Sequence, residues 1–229
     1  MFHRIQLRTS FEQLQGWANL SSTFDNPIKV FNRSTIRTLH PVLRLRPHTE
    51  TKELVWMQLG IIPSYAHDER GAELRTEAHA EALSCTSSLR TIFKRRRCIV
   101  PATSISEHGH ATQGPFSNCS LAPASNQILS IAGIWDRWVD ESDQPHETFA
   151  IVTGLVALPL RPIFDRLPVI IPETDRERWL HSSAEEKEPL DLLRPLDGAQ
   201  LRHWTLRPYD ELATEVAFDR LSSEQGNNR

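Results

Sequence analysis

The run Lys94–His108, KRRRCIVPATSISEH, constrains the fold more than any other stretch of this chain. Four consecutive cations are expected at a surface, because Lys and Arg are almost never fully buried unless paired. The β-branched residues after them favour a strand, and Pro101 rules out a helix interior. The stretch therefore reads as a helix ending near Lys94, a short buried strand Cys98–Val100, and a carboxylate, Glu107, delivered to a surface. Arg97 alternates with Cys98 and is expected to point outward. Two readings of the basic run stay open. It is a phosphate-binding stripe, each contact releasing condensed counterions, or a helix end whose cations answer the negative end of the dipole.

Around this run the pattern is mostly that of short strands. Ile5 and Leu7 alternate as a strand. Ser10 caps a helix whose Phe11, Leu14 and Trp17 fall at helical spacing. Pro41–Leu45 and Leu54–Ile62 read as strands, and Ala78–Lys94 as a helix with Leu83, Leu89 and Phe93 on one face. Glu107–Asn126 is rich in Gly, Ser, Pro and Asn and reads as a long loop or hairpin around a short strand near Phe116. Ile128–Trp135, Thr148–Thr153, Val169–Ile171 and Trp204–Leu206 are strands, and Thr174 opens a helix DRERWL. The spacing predicts an α+β fold: one domain over 1–215, mostly antiparallel β in a barrel-like mixed sheet with several peripheral helices. The polar end, residues 216–229, is expected to be disordered.

Charge is divided unevenly along the chain. Of 26 Lys and Arg, 15 lie in residues 1–100 against 9 of the 29 acids, so the first hundred residues carry +6 and the remainder, 11 against 20, carries −9. A basic first part in an acidic chain fits a side that faces nucleic acid. Three cysteines, Cys85, Cys98 and Cys119, form neither a disulfide framework nor a zinc pattern, which suits a reducing cytoplasm. No apolar run is long enough to span a membrane, and MFHRIQLR is too charged for a signal peptide. His108 and His110 beside Glu107 suggest a metal, yet no third ligand is indicated, so neither metal nor cofactor is expected.

Eight short motifs, in order, resemble the SRAP family (SOS response-associated peptidase). M-C-G-R stands as Met1-Phe2-His3-Arg4, and Y-N-x-A-P as Phe31-Asn32-Arg33-Ser34-Thr35. W-G-L-[IV]-P-S-W stands as Leu59-Gly60-Ile61-Ile62-Pro63-Ser64-Tyr65, and N-A-R-x-E as Glu73-Leu74-Arg75-Thr76-Glu77, with Arg90 where the family has F-R. Arg96-Arg97-Cys98-Ile99-Val100-Pro101-Ala102 is followed by Glu107. Ala132-Gly133-Ile134-Trp135 matches A-G-[LI]-W, and Phe164-Asp165-Arg166-Leu167-Pro168-Val169 matches H-[DE]-R-M-P-V.

The resemblance implies a protein that binds single-stranded and junction DNA and captures abasic sites. The family's N-terminal cysteine closes a thiazolidine on the sugar aldehyde, supported by an asparagine, a glutamate and a histidine. It also implies that Arg4, Arg75 and Arg90 touch the DNA backbone; Asn32 in its motif and Arg97 in the basic run join them as candidate DNA-binding residues, and Asp165-Arg166 is an ion pair or part of the site. Of the four catalytic positions only Glu107 matches; Phe2, Glu73 and Phe164 stand at the others. A thiazolidine needs thiol and amine on one residue, which Phe2 cannot supply, and methionine removal before so large a residue is not expected. Phe164 cannot move a proton, and Glu73 is an acceptor-only, charged group. Leu59 in place of tryptophan weakens any base stacking there. Three functions follow: a catalytically degenerate module holding single-stranded or junction DNA non-covalently; an enzyme of retained or altered chemistry using Glu107; and a protein-interaction or decoy paralogue. Glu107 itself is either an acid/base group or a solvated, salt-bridged carboxylate, and Trp135 and Trp138 are expected to pack.

Overall fold

The computed structural model describes residues 3–20, 39–47, 49, 51–66, 75–108, 118–123, 125, 127–156, 165–181, 187–194 and 204–208; at 3, 4, 11, 107, 108, 118–120 and 204–208 it describes the backbone alone. Strand β1 (His3–Gln6) leads to helix α1 (Phe11–Ala18). Ser10 caps α1 through a reciprocal box with Gln13, and Asn19 ends it in the left-handed conformation, φ 52°. Strands β2 (Leu39–Leu45) and β3 (Lys52–Leu59) form a hairpin, and β4 (Glu77–His79) follows. Helix α2 (Ser87–Arg95) runs into β5 (Arg97–Ala102) and β6 (Ser104–His108). Then come β7 (Asn118–Pro123), the long hairpin β8 (Leu129–Val139) and β9 (Pro145–Leu155), β10 (Arg166–Pro168), α3 (Arg176–Leu180) and β11 (Trp204–Pro208).

Seven strands make one sheet in the order β10-β9-β3-β2-β5-β8, with β4 on β9. Because β8 also pairs with β9, the strands β9, β3, β2, β5 and β8 close on themselves as a barrel. Most neighbours are antiparallel; β3 and β4 run parallel to β9, so the sheet is mixed. Strand alternation then divides the core in two. Val42, Met57, Val100, Ile131, Trp135, Phe149 and Ile151 pack together inside the barrel. Leu43, Leu54, Ile99, Ile134, Ala150 and Val152 face outward and are covered by Leu14, Leu89, Phe93 and Trp179 from the three helices. A second sheet, β1-β6-β7-β11, contributes Ile5, Ile105 and Leu121 to the interior cluster and so closes one mouth of the barrel. The α+β architecture expected from the sequence is the one observed.

Several details differ from the sequence pattern. Ala78–Lys94 is not one helix: Glu77–His79 pairs with β9, a single 3₁₀ turn covers Ala80–Ala82, and only Ser87–Arg95 is α-helical. Pairing with a buried strand outweighs the weak helical preference of that segment. The strand read over Leu54–Ile62 stops at Leu59, because Gly60 takes φ 111°, a conformation that strains any side chain. Glu107 lies within β6 rather than in a loop. Gly133 is fixed by packing: a Cβ there would stand 2.8 Å from the Cys98 sulfur and 3.0 Å from Val100. The expected strand near Phe116 and the expected disorder of 216–229 fall on residues outside those described, although β7 begins just beyond the former.

Candidate functional site

Glu107 sits one residue from the end of β6, an inner strand of the sheet over the barrel mouth. Antiparallel register sets it opposite His3 on β1 and Cys119 on β7. The start of the chain is thereby brought beside Glu107 at backbone level, although about a hundred residues separate them. Of the expected site residues, Phe2, Asn32, Glu73 and Phe164 lie outside those described, and Arg4 and Glu107 are placed by their backbone alone. Ser106, next to Glu107, is fully buried, and among the described residues its hydroxyl has no hydrogen-bond partner.

The arginines separate into two groups. Arg75, bridged to Ile61 after the β3 turn, and Arg90 on α2 are exposed. Arg97 is the opposite of what alternation suggests: it is 5% exposed. Its Nε donates to the carbonyl of Trp179 (2.5 Å), Nη1 to those of Phe93 (2.8 Å) and Lys94 (3.2 Å), and Nη2 to that of His181. The reason is electrostatic, since α2 and α3 both end here and leave carbonyls without helical partners. Arg97 therefore fastens two helix ends. A cleft of about 300 Å³ remains between them, lined by Lys94, Arg97, Arg178, His181, Lys187 and Glu188. Arg166 pairs with Glu81 (2.6 Å) and also donates to Thr153, rather than pairing with its neighbour Asp165.

The segment after β3 holds an aromatic outward. Ile62 N–H donates to Thr148 Oγ1 (2.9 Å), Ser64 N–H to the buried carboxylate of Asp136 (2.9 Å), and Trp138 Nε1 to the carbonyl of Ala66 (2.8 Å). Asp136 also pairs with Arg96. Tyr65, on this clasped turn, is 69% exposed, whereas Leu59 is 1% exposed within the barrel. Substitution at 59 thus alters packing, and the surface aromatic of the motif is Tyr65. Trp135 and Trp138 are buried, as packing residues are.

Two polar groups inside the barrel were not legible in the sequence. His40 is 1% exposed; its Nε2 lies 2.9 Å from the Pro101 carbonyl, so that nitrogen carries the proton. Burial lowers its pKa to about 4, against the upward pull of that hydrogen bond. Arg44 lies at the other end of β2, in contact with Glu53 (3.0 Å) and Glu147 (2.8 Å) and over the Trp135 ring at 4.2 Å. Cys98 is buried nearby, and desolvation pushes its thiol pKa well up, so it is not a nucleophile. Among the described residues no group of three or more His, Cys, Asp and Glu is arranged to hold a metal, and no helix is long and apolar enough to cross a membrane.

The family described as SOS response associated peptidase (SRAP) matches residues 1–209 of this 229-residue chain. The chain belongs to that family. Among its SRAP relatives are the abasic site processing proteins YoqW and YobE of Bacillus subtilis (strain 168). YoqW is 27% identical over 196 residues, covering 80% of this chain and 88% of the relative. YobE is 26% identical over 196 residues, covering 80% and 90%. A crystal structure of a Bacteroides thetaiotaomicron protein superposes with a TM-score of 0.64 at 26% identity, covering 76% of this chain and 75% of that one. A Bordetella bronchiseptica protein gives 0.73 at 18% identity, covering 91% and 100%, and so shares the fold. The mouth of the SRAP barrel that carries β1 and β6 is thus the candidate site, since β1 holds the motif residue Arg4 and β6 holds Glu107.

Proposed function

We propose that this SRAP protein acts in DNA damage handling by holding single-stranded or junction DNA without a stable crosslink. The observation that carries the reading is Phe2 at the sequence position where the family motif has its cysteine, while Glu107 is kept on β6. The relatives' role in abasic-site processing supports DNA as the ligand. Exposed Arg75 and Arg90 are assigned to backbone phosphates, and Arg4 and Asn32 are assigned the same role by motif alone. Tyr65 offers a face on which an unpaired base stacks, and its clasped turn spares the cost of ordering it on binding. Buried Arg97 is left out of this set, its guanidinium being engaged by helix-end carbonyls.

Fluorescence anisotropy with a labelled single strand, at low and moderate salt, tests binding. Saturable binding that weakens with salt is expected; no binding, or binding indifferent to salt, defeats the proposal. An abasic oligonucleotide resolved on a denaturing gel tests the chemistry. The native chain is expected to leave the strand unshifted, and a Phe2→Cys chain to shift it if the pocket persists.

A further inference from the structure

The cleft between the ends of α2 and α3 lies outside the barrel wall and takes no part in the site at the mouth. Arg97, which lines it, opens β5, and Ala102 ends that strand. Five residue steps of about 3.3 Å put roughly 17 Å between them, before β6 and Glu107 begin. The cleft encloses about 300 Å³, the size of a site for one small molecule. Its lining is unevenly charged: Lys94, Arg97, Arg178 and Lys187 bring cations and His181 an imidazole, against one carboxylate, Glu188. Arg97 is spent on the carbonyls of Phe93, Lys94, Trp179 and His181, and so answers the negative ends of both helices. Arg178 grips Asp191 through both terminal nitrogens (2.8 and 2.5 Å), and Lys52 pairs with Glu177 on α3 (2.5 Å). Lys94 and Lys187 are different. Both are exposed, and among the described residues neither has a carboxylate partner. They reach the one cleft from separate elements, the last turn of α2 and the segment after α3.

We infer that this cleft binds a phosphate monoester, with the ammonium groups of Lys94 and Lys187 as its charge partners. A monoester carries about −1.5 to −2 at neutral pH, which two lysines match, whereas a backbone diester carries a single charge. Glu188 opposes the ligand and tempers its affinity. The monoester comes from one of two sources, a free mononucleotide or the phosphorylated end of a strand. Arg90 stands four residues before Lys94 on α2, and both are exposed, so the two cations are neighbours on one helix face. A strand held at Arg90 brings its end to Lys94; this second source rests on the function proposed above.

Isothermal titration calorimetry of the purified chain compares deoxyadenosine 5′-monophosphate with deoxyadenosine. Saturable heat is expected from the monophosphate alone. Lys94→Gln and Lys187→Gln should each weaken it about tenfold, the loss of one charge-assisted contact. Glu188→Gln should tighten it about threefold. Glu141→Gln, which changes net charge equally from the exposed β8–β9 turn, should leave it unchanged. No heat from the monophosphate, heat that survives loss of both lysines, or equal responses to Glu188→Gln and Glu141→Gln overturns the site. Fluorescence anisotropy then separates the sources, using one strand with a 5′-phosphate, a 3′-phosphate or hydroxyl ends. Tighter binding of a phosphorylated strand, lost in Lys94→Gln, assigns the cleft to a strand end. Equal binding of all three strands by a chain that takes the monophosphate assigns it to a free mononucleotide. Strand binding without monophosphate binding defeats the cleft alone; monophosphate binding without strand binding upholds the cleft and defeats the DNA reading.

Discussion

The two ends of the barrel solve the problem of interior polarity differently. At the end carrying Arg44, charge is met by charge: the guanidinium lies between Glu53 and Glu147 and over Trp135. At the mouth covered by the second sheet, the buried polar groups His40 and Ser106 are neutral. His40 donates to the Pro101 carbonyl, and among the described residues the Ser106 hydroxyl has no partner. A matched ion network is expensive to break and chemically idle. A mouth with a neutral buried histidine keeps a group whose protonation can change. The difference teaches that a functional reading belongs to the second end, and it can be broken experimentally.

The largest effect is expected at the charged end. Arg44→Ala takes the buried guanidinium from Glu147 and from Glu53, which keeps only exposed Arg46, and should cost about 3–5 kcal/mol in denaturant unfolding, while DNA affinity per folded molecule stays unchanged. A loss of affinity without a loss of stability would reverse the assignment of the two ends. Next comes His40. Its folded pKa, about 4, lies below the ordinary imidazole value of 6.5, so the unfolded chain takes up the proton first. The contribution is whole above pH 6.5 and declines as pH falls towards 4, by about 3 kcal/mol in total. Unfolding midpoints measured from pH 7 to pH 4 should show that decline, and His40→Gln should flatten it.

Gly133→Ala presses a methyl against Cys98 and Val100 and is expected to cost about 1–3 kcal/mol. It strains the barrel wall rather than either end, so the thermal midpoint should drop with the pH profile unaltered. Ser10→Ala removes the capping box of α1 and should cost about 1 kcal/mol, without touching DNA binding. The smallest shift is read in salt dependence: Arg75→Ala should reduce the slope of log affinity against log salt by about one and leave stability alone.

Much of this contrast was present in the residues. Alternation at Pro41–Leu45, Ile128–Trp135 and Thr148–Thr153 located barrel strands, and Ser10 marked a helix start, because burial and capping act over a few neighbouring residues. Arg97 was misplaced because its reason for burial lies at Trp179 and His181, about eighty residues away, and no local period announces a carbonyl at a distant helix end. His40 was missed for the same reason, as its partner is on β5. At the candidate site, Glu107 was legible through its motif, but the row joining it to His3 and Cys119 is a property of register, which pattern alone does not set across loops of this length.

The pairing of β1 with β6 also fixes an order of events during synthesis. Strand β1 leaves the ribosome roughly a hundred residues ahead of its hydrogen-bonding partner, several seconds at ordinary elongation rates. Until then His3–Gln6 is an unpaired segment that a chaperone or another nascent chain can reach. The corner that carries Glu107 thus cannot assemble until β6 has been made, well after the β2–β3 hairpin has had both of its strands.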